Sequence, residues 1–193
     1  MTESTEDKPH FSDPELMRAL SHTARLAVLD HLTVVEDATA TECAEVAGLS
    51  PSAMSYHLRA LARVGLVEEA PGRGDGRERV WRMKVRSFSI GADYESPESV
   101  KLAQRSMIEL MKRRGDDKFE RWMDRSSAEP KEWYEVATSS EWALLMTADE
   151  VRDMAGKLAE LVRPFRMRER KSAGDDPDDA RRVAFQLRIF PEV

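Results

Sequence analysis

The stretch Thr41–Val67 reads TECAEVAGLSPSAMSYHLRALARVGLV and decides the fold. A short apolar-periodic segment stops at Gly48; a second begins after Ser50-Pro51 and stops at Gly65. Glycine tolerates the positive φ that a sharp turn between helices requires. Ser50 is suited to accept from the orphan N–H groups at a helix start, and proline fits the first helical position. Two helices joined by a tight turn are predicted, in the helix-turn-helix arrangement whose second helix enters the DNA major groove.

At about 100° per residue, Met54, Leu58 and Leu61 share one face of the second helix. Ser52, Tyr56, Arg59 and Arg63 point away from it, with Ser55 at the edge. Hydroxyls, a phenol and two guanidinium groups suit hydrogen bonds to phosphates and base edges. An ordinary amphipathic helix with a solvated polar face has the same pattern, so the context must discriminate.

That context is a hairpin. Leu66–Ala70 is a strand candidate, and Pro71–Gly76 holds one proline and three glycines. Arg79–Val85 then alternates, with Arg79, Trp81, Met83 and Val85 on one side. A winged helix is expected, its wing carrying Arg73, Arg77 and Arg79 toward phosphates or the minor groove. The candidate DNA contacts are Ser52, Ser55, Tyr56, His57, Arg59, Arg63, Arg73, Arg77 and Arg79.

Two segments carry a resemblance. Ala19–Leu32 (ALSHTARLAVLDHL) resembles the opening helix of the arsenic-repressor-like (ArsR) winged-helix regulators, and Leu49–Val67 resembles their recognition helix and entry to the wing. The likeness spans roughly Asp13–Val85. It implies a homodimeric DNA-binding transcriptional regulator, most often a repressor released by a signal. Thr23 stands where many members have proline. Thr39 stands at the position of the cysteine used by the family's metal sensors, and Cys43 where members have a buried apolar residue.

As the only cysteine, Cys43 cannot pair within one chain, and a core role is expected. His22 and His31 are nine positions apart, which puts them on opposite sides of a single helix. No histidine follows His57. Direct metal sensing, cofactor binding and acid–base catalysis therefore lack their usual residues, and no catalytic or metal-ligating set is assigned.

Composition sets the frame. The 193 residues carry a net charge of −6 and no apolar run long enough to span a bilayer. Met1–Pro9 lacks the basic and apolar regions of a signal peptide, so a cytoplasmic location is expected. Charge is uneven: residues 1–50 hold 3 basic and 10 acidic side chains, whereas 51–86 hold 8 and 4. Positive charge collects on the second helix and wing, as DNA binding requires.

Outside the motif, Asp13-Pro14-Glu15 opens a helix with the stripe Leu16, Leu20, Ala24, Ala27, Val28 and Leu32. Thr39 or Thr41 caps the next helix. Ser96-Pro97-Glu98 opens another, with Val100, Ala103, Met107, Leu110 and Met111 at helical spacing and Gly115 as a stop. Trp133–Met146 is strand-prone, Thr147–Glu150 forms a capping box for a helix to about Pro164, and Val183, Phe185, Leu187 and Ile189 alternate.

The predicted architecture is mainly α with α+β elements: a tail over 1–12, a winged helix-turn-helix domain over 13–90, and a C-terminal domain over 94–193. That last domain comprises a long dimerisation helix and a small strand-helix-strand addition. Trp133, Tyr134 and Trp142 are candidates for an organic effector pocket, with packing as the alternative. The expected function is a dimeric repressor binding double-stranded DNA, neither an enzyme nor a membrane protein. The competing reading is a winged-helix module that binds protein without operator affinity.

Overall fold

Ser21 and His22 break what the apolar spacing presents as one helix. In the computed structural model, residues 10–11, 13–73, 78–85, 89–175 and 177–192 are described. Helix α1 (Pro14–Leu20) is capped by Asp13, whose carboxylate accepts from the Glu15 N–H at 2.8 Å. It ends where the Ser21 hydroxyl turns back to the Met17 carbonyl. Helix α2 (Thr23–Val34) starts afresh from His22, whose Nδ1 accepts from the Ala24 N–H. Leu16, Leu20, Val28 and Leu32 all enter one core, so their spacing hides the break. Thr23 is the first residue of α2, the position where proline costs nothing.

Strand β2 (Ala38–Thr39) leads into α3 (Ala40–Ala47). Thr39 caps α3 in a reciprocal box: its hydroxyl accepts from Glu42 N–H, and the Glu42 carboxylate accepts from Thr39 N–H. Gly48 adopts φ 65°, and the Leu49 N–H closes onto the Ala44 carbonyl. Ser50 then caps α4 (Pro51–Arg63) through the Ala53 N–H. Gly65, at φ 74°, repeats the device, with Leu66 N–H on the Leu61 carbonyl. The turn signals of the sequence act as expected.

Strands β3 (Val67–Ala70) and β4 (Val80–Met83) form the antiparallel wing, with Glu68 opposite Arg82. β4 is central, flanked by β3 and β2. Val80 and Trp81 are therefore both buried, where one-sided alternation had been expected. Two-residue β2 is too short to show a period, which is why the sequence does not announce it. β1 (His10–Phe11), within the stretch assigned to a tail, pairs in parallel with β5 (Ser89–Ile90).

Met17, Val28, Cys43, Met54, Leu58, Leu61 and Val67 meet in one core under the helix-turn-helix. Helix α5 (Glu98–Arg125) adds Val100, Ala103 and Met107 to it. Of the two roles open to this stripe, dimer or domain core, these three residues take the core of the first unit. Leu102, Ile108 and Met111, on other faces of α5, are half exposed.

The chain divides into two compact units, Met1–Leu110 and Met111–Val193, with the division inside α5. In the second unit α5 runs on through Gly115, a 3-10 turn spans Ser126–Ala128, and α6 (Lys131–Val136) follows. Thr147 and Glu150 form their capping box and open α7 (Ala148–Val162). Another 3-10 turn leads to α8 (Met167–Ala173); Gly174, at φ 66°, ends it.

The expected strand-helix-strand addition is corrected: its helix is present, but neither strand is. Trp133 lies in α6, where its N–H and that of Tyr134 close onto the Pro130 carbonyl. Residues 137–147 and 180–192 join no sheet among the described residues. Alternation marks extended backbone with two unlike faces, but only a hydrogen-bonded neighbour makes it a strand.

Gly115 lies inside α5, against the Gln186 side chain of the C-terminal segment. A Cβ there would collide with the Gln186 side-chain amide. Arg188 reaches Asp116 and Arg181 reaches Glu129, so this segment runs antiparallel along the helix. Architecturally the protein is mainly helical, with one three-stranded antiparallel sheet.

Candidate nucleic-acid interface

Helix α4 is held by its apolar face and offers the other. Met54, Leu58 and Leu61 are completely buried, whereas Ser52, Tyr56, Arg59 and Arg63 are exposed and Ser55 is half-buried. Ser55 donates its hydroxyl to the Pro51 carbonyl at 2.9 Å, and Arg59 Nε donates to the Ser55 carbonyl at 3.2 Å. These bonds keep both side chains along the helix. Tyr56 is 58% exposed, its ring edge-on to that of His57.

The face borders an open concavity of about 380 Å³ lined by Thr41, Pro51, Ser52, Ser55, Arg59, Glu78, Arg79 and Trp81, with Ala40 at its edge. The start of α3, the first two turns of α4 and the base of the wing therefore meet on one surface. Thr41, Glu78 and Trp81 were not among the expected contacts. Thr41 donates to the Glu78 carboxylate at 3.3 Å, an α3-to-wing contact that no local spacing reveals.

His57 is corrected. It is 9% exposed, its ring centroid 4.4 Å from that of His22. Its Nδ1 is buried without a hydrogen-bond partner, as is Nε of Arg25. Burial, then the charges of His22 and Arg25, hold its pKa below the ordinary value. Burial, then Arg25, lowers that of His22. His57 lies beneath the helix and His22 stands at the exposed start of α2, each with its pKa lowered first by burial. The angular count contained this signal: His57 is one position from Leu58 and three from Met54.

The wing cations are not equivalent. Arg73 is clasped: Nη1 donates to Glu42 at 2.9 Å, Nε to the Asp37 carboxylate at 2.8 Å, and Nη2 to the Asp37 carbonyl at 2.6 Å. It ties the wing to the α2–α3 connection, which corrects its assignment as a phosphate-seeking side chain. Arg79 pairs with Glu69 at 2.8 Å and Arg82 with Glu68 at 2.7 Å, in exposed cross-strand bridges. Such bridges are weak enough for a phosphate to displace them. Arg77 lies outside the described residues.

Cys43 is completely buried and its thiol is pushed up to about 11, first by burial and then by Glu42. It is a packing residue that stays protonated at neutral pH. Among the described residues, no three of His, Cys, Asp and Glu cluster so as to hold a metal ion. No described helix is long and apolar enough to cross a membrane.

The aromatic effector candidates are dispersed. Trp133 lies under the Arg181 guanidinium at 5.0 Å, while Tyr134 and Trp142 are 53% and 76% exposed. They line neither the concavity above nor its neighbour around Thr39, Arg73 and Val80.

Comparison with known proteins agrees with this local architecture. A family model described as a helix-turn-helix domain matches residues 20–70, about a quarter of the chain. No curated protein matches the chain in sequence. Among solved structures, an apo-form mutant of ZitR from Lactococcus lactis is 14% identical with a TM-score of 0.34, covering 75% of this chain and 83% of that one. Wild-type MarR from E. coli, in apo form, is 18% identical with a TM-score of 0.31, covering 78% and 88%. These are distant likenesses, and the helix-turn-helix assignment rests on residues 20–70 and the geometry of α3 and α4.

Proposed function

We propose that this protein is a sequence-specific, double-stranded-DNA-binding transcriptional regulator, acting as a homodimeric repressor and not as an enzyme or a direct metal sensor. The observation that carries the reading is the exposed face of α4. Ser52, Ser55 and Arg59 share one concavity with Arg79 of the wing, while Tyr56 and Arg63 extend the polar surface. A helix held by its buried side and displaying hydroxyls and guanidinium groups has what major-groove readout needs. The family model over residues 20–70 supports it. The acidic remainder of the chain lowers non-specific attraction and leaves the positive segment to direct binding. In this reading the C-terminal unit dimerises and receives an organic effector near Trp133, Tyr134 and Trp142.

A second reading has its own observation. Arg73, Arg79 and Arg82 are each paired with carboxylates, so the wing is less positive than its composition suggests. A winged helix of this kind could bind protein instead of DNA. Selection from random duplexes, followed by footprinting on the protein's own upstream region, separates the two. The DNA-binding reading expects an enriched motif whose affinity falls steeply with salt; no enrichment at low salt overturns it.

A further inference from the structure

The second unit lacks an interior. Among its described residues only Gly115 is buried, while fifteen large apolar side chains are a third or more exposed. Ordering a residue costs about 1–2 kcal/mol of conformational entropy. With Trp122, Trp133, Val151, Met154, Leu158 and Val162 only partly covered, the hydrophobic gain that offsets this cost is small.

The exposure is organised. In residues 181–190, Gln186 and Arg188 turn toward Gly115 and Asp116 on α5. The intervening Val183, Phe185 and Leu187 are 73%, 62% and 49% exposed. This segment is anchored by its polar face and shows an apolar ridge. In residues 141–146, Trp142, Leu144 and Leu145 are 76%, 61% and 104% exposed. Neither segment pairs with any strand among the described residues. Two extended segments with unpaired backbone are templates for each other.

We infer that the second unit is completed by a second copy of this chain, residues 141–146 of one protomer pairing as a strand with residues 181–190 of its partner, and reciprocally. This deepens the homodimer reading and rests on it. Three features select a second copy as the occupant. Each chain carries both halves of the pair, so a two-fold axis makes two identical junctions and consumes both segments. The area is of the right order: the eight large apolar side chains exposed in residues 141–146 and 181–190 amount to on the order of 1,000 Å² per chain, against about 800 Å² per partner in a standard interface. The charges also complement, since residues 137–147 carry Glu141 and no cation, whereas 181–190 carry Arg182 beside Arg181 and Arg188, which pair with Glu129 and Asp116 of their own chain.

Cysteine pairing in the full-length chain tests this. Tagged chains bearing Ala143→Cys, Leu144→Cys or Leu145→Cys are mixed with untagged chains bearing Val183→Cys, Phe185→Cys or Leu187→Cys, then mildly oxidised. All six positions are exposed, so the substitutions leave each chain's packing unchanged, and buried Cys43 does not compete. Strand pairing brings Cα atoms within the 4.4–6.8 Å that a disulfide spans. At least one combination is expected to convert most chains to a mixed-mass dimer. If sedimentation finds a dimer but no combination cross-links between chains, strand exchange is overturned and the homodimer reading stands. Closure at monomer mass in a chain carrying both cysteines overturns it in favour of intrachain pairing. A monomer at every concentration overturns both.

Discussion

His57 has a chemistry its helix position does not suggest. Its ring and that of His22 are 4.4 Å apart beside Arg25, and both pKa values lie below the ordinary 6.5. An unfolded chain takes up these protons near pH 6.5 while the folded chain resists them. The resulting stability is therefore complete above that value and lost as pH falls below it. The expected outcome is a urea midpoint that drops between about pH 7.5 and 5.5, with a smaller drop in His57→Leu. Equal drops in both proteins would clear the pair of responsibility.

Arg73 and Arg79 make a sharper contrast, because composition treats them alike and geometry does not. Losing Arg79 is expected to reduce the salt slope of DNA binding by about one unit. Losing Arg73 is expected to leave the slope and lower the melting temperature, since its partners are Asp37 and Glu42. The opposite assignment of the two effects would show that the clasp opens on DNA.

At the scale of elements, the helix-ending Gly48 and the mid-helix Gly115 act by different physics. Gly48 has open space around it but φ 65°, so Gly48→Ala is expected to cost about 1–2 kcal/mol through backbone strain alone. Gly115 has no φ constraint but meets Gln186. Gln186 can swing its amide aside, so Gly115→Ala is expected to gain about 0.5–1 kcal/mol of helix stability in full beside Gln186→Ala, and less beside the native Gln186. Denaturant titration of the five proteins reads both effects, and additive changes for the pair at 115 and 186 would exclude the contact.

These elements also divide what was legible in the sequence. Gly48, Ser50, Pro51, Gly65 and the Thr147–Glu150 box act over one to four residues, and each forms the turn or cap its type suggests. The break at Ser21, the two-residue β2 and the α5 residues absorbed by the first core depend on contacts distant in sequence. In the interface, the exposed arc Ser52–Arg63 followed from periodicity. The clasp on Arg73 joins residues 31 and 36 positions apart, beyond any local count.

For the whole molecule, the first unit has a complete core and the second does not. That asymmetry gives the C-terminal segments a physical task, which is to find apolar cover, and it links dimer formation to the spacing of two recognition helices. Two such helices must meet half-sites about 34 Å apart on one face of the duplex. The account nevertheless stands or falls on the surface of α4. The most direct test is operator affinity, at fixed salt, of the intact chain and of Arg59→Ala. Arg59 is exposed and outside the core, so the variant keeps its fold. The account predicts a loss of about 1–3 kcal/mol and relaxed preference at one base position in each half-site. Unchanged affinity with unchanged preference would contradict it.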